Sequence, residues 1–159
     1  MQPDFQGRIK EFLETANKNN VLMILVGGGA VNFHGYQRHS ADIDFWIETS
    51  PGNLQRLLQT LTEMGYNLTE LPEKVRKGEQ NISVKISPVF ELELITRFNP
   101  GKSFEKAFED SIQINNSGYK YHVLSFSDLI QSKIISNRPK DKLDIEELHK
   151  IQILKKKKR

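Results

Sequence analysis

The amino-acid sequence predicts an α/β fold of the α+β kind: a mixed β-sheet covered by helices, with further helices at the C-terminal end. Three observations predict it. Stretches with apolar residues every three or four positions alternate with short β-branched or strictly alternating runs. A glycine triplet, Gly27-Gly28-Gly29, breaks the first such run where a strand would turn into a helix. Two later runs, 42–48 and 89–96, alternate acidic with apolar residues, so one face of each suits a core and the other carries charge.

Taken in order, Phe5, Ile9, Phe12, Leu13 and Ala16 recur at helical spacing and predict an amphipathic helix from 4 to about 19. The continuous apolar run Val21 to Val26 predicts a buried strand, with a short helix from Ala30 to Tyr36 after the glycines. In the next strand, 42–48, Asp42, Asp44 and Trp46 share one face while Ile43, Phe45 and Ile47 share the other. Ser50-Pro51 then opens a helix through Leu54, Leu57, Leu58, Leu61 and Met64, closed by Gly65.

Residues 81–87 and 89–96 read as two strands around Pro88, the second setting Glu91 and Glu93 against Phe90, Leu92 and Leu94. A short helix near Phe104 to Glu109 precedes a hairpin over 111–125, turning at Asn116-Ser117-Gly118 and read as a small addition to the sheet. Ser127 is placed to cap a helix through Leu129, Ile130 and Ile134. A last helix starts near Lys140 with Leu143, Leu148 and Ile151 on one side.

A chain of 159 residues suits one domain, assigned to 1–154, with a basic tail over 155–159. The composition, 37% hydrophobic and 27% charged, is that of a soluble globular protein, and no apolar run reaches the length of a membrane span. The first residues carry no basic-then-apolar leader. The absence of cysteine excludes disulfides and thiolate metal sites, so a cytoplasmic location is the expectation. The net charge of +3 arises from the last five residues, Lys155 to Arg159; the remainder carries −2. The tail is read either as a solvated terminus or as an electrostatic handle for nucleic acid.

The chemistry-bearing residues are the glycine triplet and the acids. Three glycines at a strand-to-helix turn permit close backbone approach, so N–H groups of Gly27, Gly28 and Gly29 are placed to hold phosphates. Asp42 and Asp44, two apart on a strand, project to one side with roughly 6.6–6.8 Å between their Cα atoms. Hard divalent cations take carboxylate oxygens, and two magnesium ions about 3.5–4 Å apart are the usual means of stabilising a phosphorus centre under attack. Glu93, or else Glu91, offers a third acid from a later strand. Arg38 has the planar fork that suits phosphate oxygens, or else a surface salt bridge. His34 reads as a packing residue rather than a zinc ligand, and Tyr36 and Trp46 as base-stacking or core aromatics.

The run Leu25-Val26-Gly27-Gly28, thirteen residues, then Asp42-Ile43-Asp44-Phe45 resembles the signature of the DNA polymerase β-like nucleotidyltransferase superfamily. Further matches at Gly29 to Tyr36, Arg38, Lys133 and Arg138-Pro139-Lys140-Asp141 with Asp144 are similar to small bacterial nucleotidyltransferases, including the AbiEii-like toxin group. The likeness covers residues 25 to about 148. It implies a palm-like sheet, a nucleoside triphosphate near Gly27 and Gly28, and magnesium on Asp42, Asp44 and Glu93. Glu93 would bind metal or help deprotonate an acceptor hydroxyl. Lys133 and Asp141 or Asp144 would stand beside the metal centre; on their own pattern they read equally as a surface helix residue and an exposed charged turn. Two departures are Glu93, where Asp is usual, and Gly28, where many members carry serine.

The implied reaction moves a nucleoside monophosphate to an acceptor hydroxyl on a tRNA end, a protein or a small molecule, with release of pyrophosphate. An antitoxin or other partner protein is the expected associate, and no membrane. Three rivals are weighed: a nucleotidyltransferase-shaped module that binds nucleic acid or protein without catalysis, a metal-dependent phosphohydrolase, and a Rossmann enzyme, which Asn32 disfavours where Gly or Ala is needed. Gly101-Lys102-Ser103 fails as a P-loop, because Thr96 replaces the first glycine and Pro100 lacks an N–H.

Overall fold

The computed structural model describes residues 5, 7–38, 42–116 and 118–158. The helix start expected at Asp4, the Ser117 of the hairpin turn and Arg159 of the tail lie outside those residues. The elements run α1 (Gly7–Lys18), β1 (Met23–Val26), α2 (Gly27–Phe33), β2 (Asp42–Ile47), α3 (Pro51–Glu63), α4 (Glu73–Arg76), β3 (Ile82–Lys85), β4 (Glu91–Ile95), α5 (Phe104–Asp110), β5 (Ile112–Asn116), β6 (Tyr119–Val123), α6 (Phe126–Ser136) and α7 (Pro139–Lys157). No helix among the described residues is long and apolar enough to cross a membrane.

The six strands form one mixed sheet in the order β3-β4-β2-β1-β6-β5. β1 pairs antiparallel with β2, while β2 pairs parallel with β4 and β1 parallel with β6. The α+β expectation therefore holds. The 111–125 hairpin, read from sequence as a small addition, is instead an edge of the main sheet: Leu25 registers with Val123, and the Leu124 N–H donates to the Leu25 carbonyl at 3.1 Å.

The central strands are buried for the reason their sequences announce. Ile24, Leu25, Val26, Phe45, Leu92 and Leu94 are fully shielded, and Phe12 of α1 meets Phe45 with ring centroids 6.1 Å apart. Helix α3 begins as predicted, with Ser50 Oγ accepting from the Asn53 N–H. Buried Asn53 then ties the helix to the strand ends by bonding the Leu22 N–H and the Leu22 and Glu48 carbonyls. On the opposite face Trp46 lies against Phe98 and Phe104.

Several local expectations are corrected. α2 starts at Gly27 rather than Ala30, so the glycines form its first turn instead of a loop before it. Ser125, not Ser127, caps α6, its Oγ accepting from the Asp128 N–H. Ile134, read along α6 with Leu129 and Ile130, and Leu143, read on one side of α7 with Leu148, are 52% and 50% exposed. Charged side chains took their place: the inward side of α6 and α7 carries Lys133, Asp141 and Asp144 along with Leu129 and Leu148. Helix α7 also runs on through Lys157, so most of the basic tail is helical. The one-turn α4 lacks the length that would reveal it by periodicity.

Candidate active site

The acids are brought together by strand direction. β1 ends where β2 begins, and parallel pairing of β2 with β4 starts both strands at the same end of the sheet. Register then places Asp42 beside Glu91 and Asp44 beside Glu93, with Val26 on the other flank of Asp44. Laterally paired residues share a face. Gly27 follows Val26 directly, so the glycine turn abuts the same acids.

That contact is close. Gly27 has φ +58°, and a Cβ built there would sit 2.2 Å from Asp44 Oδ2. Only glycine combines the left-handed backbone with that approach. Burial of Asp44, reinforced by the negative charges of Asp42 and Glu93, pushes its carboxyl up to about 6, against the opposing charges of Lys140 and Arg38. On the far side, Ser83 of β3 registers with Glu93 and its hydroxyl donates to Glu93 Oε1.

A second cluster lies on the helices. Lys133 Nζ donates to Asp144 Oδ2 at 2.8 Å and to Asp141 Oδ1 at 3.5 Å, and Arg38 reaches Asp144 Oδ2 at 3.2 Å. Arg138 bonds Asp141 through its backbone N–H and its guanidinium, and the Ser136 hydroxyl donates to Asp141 Oδ2. Lys133, Asp141 and Asp144 are all buried, which rules out the surface alternatives for them. Burial alone would raise Asp141. The Arg138 and Ser136 hydrogen bonds and the Lys133 charge outweigh it and hold the carboxyl well below the usual range. A cleft of about 260 Å³ runs between Gly27 and this cluster, walled by Lys133, Arg138, Asp141 and Arg97.

The remaining sequence candidates resolve into structural roles. His34 is buried between Phe33 and Phe126, and its Nε2–H donates to the Leu124 carbonyl at 2.8 Å. Trp46 is a core aromatic. Lys102 of the discounted P-loop pairs with Asp110 and Asp128, and Ser103 caps α5. Arg97 and Ser83 escaped sequence reasoning. Arg97 follows its strand without a motif, and Ser83 becomes visible only when the β3–β4 register is known.

Among the described residues no three carboxylate or imidazole groups converge at metal-binding distance. The donor set nevertheless fits a hard divalent cation in chemistry and charge. Asp42, Asp44 and Glu93 supply oxygen ligands only, and Asp44, raised first by its burial and then by the like charges of Asp42 and Glu93, stands where a cation would offset both. Glu93 accepts from Ser83 through Oε1, and the second oxygen of its carboxylate remains to join the other two acids.

The sheet thus sets acids at adjacent strand starts with a glycine turn packed against them. The chain belongs to the family of nucleotidyltransferases of unknown function, DUF6036, whose pattern matches residues 5–155. No functionally curated protein matches the chain.

Proposed function

We propose that the protein is a metal-dependent nucleotidyltransferase of the polymerase β-like type, moving a nucleoside monophosphate from a nucleoside triphosphate to an acceptor hydroxyl. The observation that carries this reading is the lateral row Val26, Asp44, Glu93, with Gly27 packed on the Asp44 carboxylate. Magnesium held by Asp42, Asp44 and Glu93 would supply charge neutralisation at the α-phosphate and activation of the acceptor.

The chain's own residues contribute three things. Backbone at Gly27 to Gly29 gives the triphosphate close approach without side-chain obstruction. Glu93 is placed to accept the proton of the incoming hydroxyl. Lys140 and Arg38, whose charges already act on Asp44, and Arg97 at the cleft wall offset negative charge around the substrate. Lys133, Asp141 and Asp144 hold the adjoining helices in place as a charge-satisfied brace, and the likeness of this segment to the AbiEii-like group supports its nearness to the reaction centre.

The acceptor classes are a tRNA end, a protein side chain and a small-molecule hydroxyl. Incubation with each of four α-labelled triphosphates, magnesium and cell extract, followed by fractionation into RNA, protein and small molecules, tests the reading and identifies the acceptor. Label in one fraction with matching pyrophosphate release is the expected result. Release of inorganic phosphate without label would indicate a phosphohydrolase instead, and no turnover of any triphosphate would overturn the transferase.

A further inference from the structure

We propose that Ser83 is a modification site in cis, an acceptor hydroxyl that the protein nucleotidylates on itself. The inference rests on the reading under Proposed function and concerns its acceptor. Register puts Ser83, Glu93 and Asp44 in one lateral row on three adjacent strands, with Glu93 in the middle. The distance from the Ser83 strand to the Asp44 strand is two strand spacings, roughly 9–10 Å, and the side chains of the row point to the same face. Ser83 is exposed on the edge strand β3, open to an incoming phosphate.

The decisive contact is the hydrogen bond from the Ser83 hydroxyl to Glu93 Oε1. A base in nucleotidyl transfer must touch the hydroxyl whose proton it takes, and Ser83 already occupies that relation to Glu93. Neighbouring hydroxyls are committed elsewhere: Tyr66 donates to the Lys85 carbonyl, Ser132 to the Leu129 carbonyl and Ser136 to Asp141. Among the described residues, Ser83 is the hydroxyl bonded to the β2–β4 acids.

The step balances without a further reagent. Ser83 Oγ attacks the α-phosphorus of a nucleoside triphosphate, the Oγ–P bond forms, the bond from phosphorus to the bridging α–β oxygen breaks, and pyrophosphate leaves. The hydroxyl proton passes to the Glu93 carboxylate. The product is a serine phosphodiester that removes the donor from Glu93 and sets a further negative charge beside the acids, so modification limits further turnover at the same site.

The full chain is incubated with magnesium and each triphosphate in turn, then examined by intact mass and by peptide mapping, alongside protein taken directly from the expression host without added nucleotide. Ser83→Ala and Ser83→Thr are run in parallel, with circular dichroism to confirm folding and extract labelling as the measure of transfer in trans. The expected result is a gain of one nucleotidyl group mapping to Ser83, lost in Ser83→Ala and retained at the threonine of Ser83→Thr. Trans labelling by a wild-type chain that carries no label, or carries it at another residue, would overturn the self-modification and leave the transferase standing. Absence of label both in cis and in trans would overturn both.

Discussion

The two charged clusters flanking Gly27 are built on opposite terms. On the strands, Asp42, Asp44 and Glu93 gather charge of one sign, and Asp44 is driven up to about 6 by its burial first and by those neighbours second. On the helices, each buried carboxylate of Asp141 and Asp144 meets two cationic side chains, and Asp141 is driven down. A fold gains nothing from collecting like charges at adjacent strand starts, so the first cluster has the character of a site that costs stability for function. The second is a brace, whose individual members are costly to remove because each removal strands a buried charge.

The largest expected effect therefore falls on the brace. Lys133→Met leaves Asp144 and Asp141 with fewer cations in a buried setting and should destabilise the fold by about 3–5 kcal/mol, read from urea unfolding. A change under about 1 kcal/mol, the range of exposed pairs, would return the cluster to the surface category. Asp44→Asn should act in the contrasting way. Nucleotidyl transfer should fall on the order of 10²–10³-fold, measured as pyrophosphate release, while the unfolding midpoint stays level or rises.

Gly27→Ala bridges the two regions. Its methyl would displace the Asp44 carboxylate and force a side chain into the left-handed backbone region, so a loss of about 1–3 kcal/mol is expected, together with weaker nucleotide binding. Wild-type stability retained in Gly27→Ala would contradict the packing of the turn on Asp44.

The smallest effect is a pH dependence. Because the folded Asp44 carboxyl titrates above its unfolded value of 3.8, the unfolded chain releases its proton first as pH rises. The stability cost is absent below about pH 4, grows up to about 6 and is complete above it. Measured without added metal, the stability difference between Asp44→Asn and wild type should vanish at low pH. It should favour the variant by about 1–2 kcal/mol at neutral pH, the partial exposure of Asp44 reducing the full linkage value.

The acid region was the more legible of the two clusters in sequence. Asp42 and Asp44 declare their shared face through two-residue alternation, and Glu93 repeats the pattern in a strand whose register then aligned it with Asp44. Lys133, Asp141 and Asp144 could not be read the same way, since a polar residue on a helix looks alike whether it faces water or a buried partner eight or eleven positions along. The place of the β5–β6 hairpin in the sheet was hidden too, because its joining contact is the long-range register of Leu25 with Val123. The boundary of α2 was missed because glycines usually end helices; here positive φ at Gly27 lets one begin.

Nucleotide affinity with and without magnesium, in wild type and Asp44→Asn, tests the central contrast most directly. Steep magnesium dependence in the wild type, abolished by Asp44→Asn at unchanged or higher stability, is the expected result. Affinity indifferent to both magnesium and Asp44 would contradict it and leave the chain a binding module.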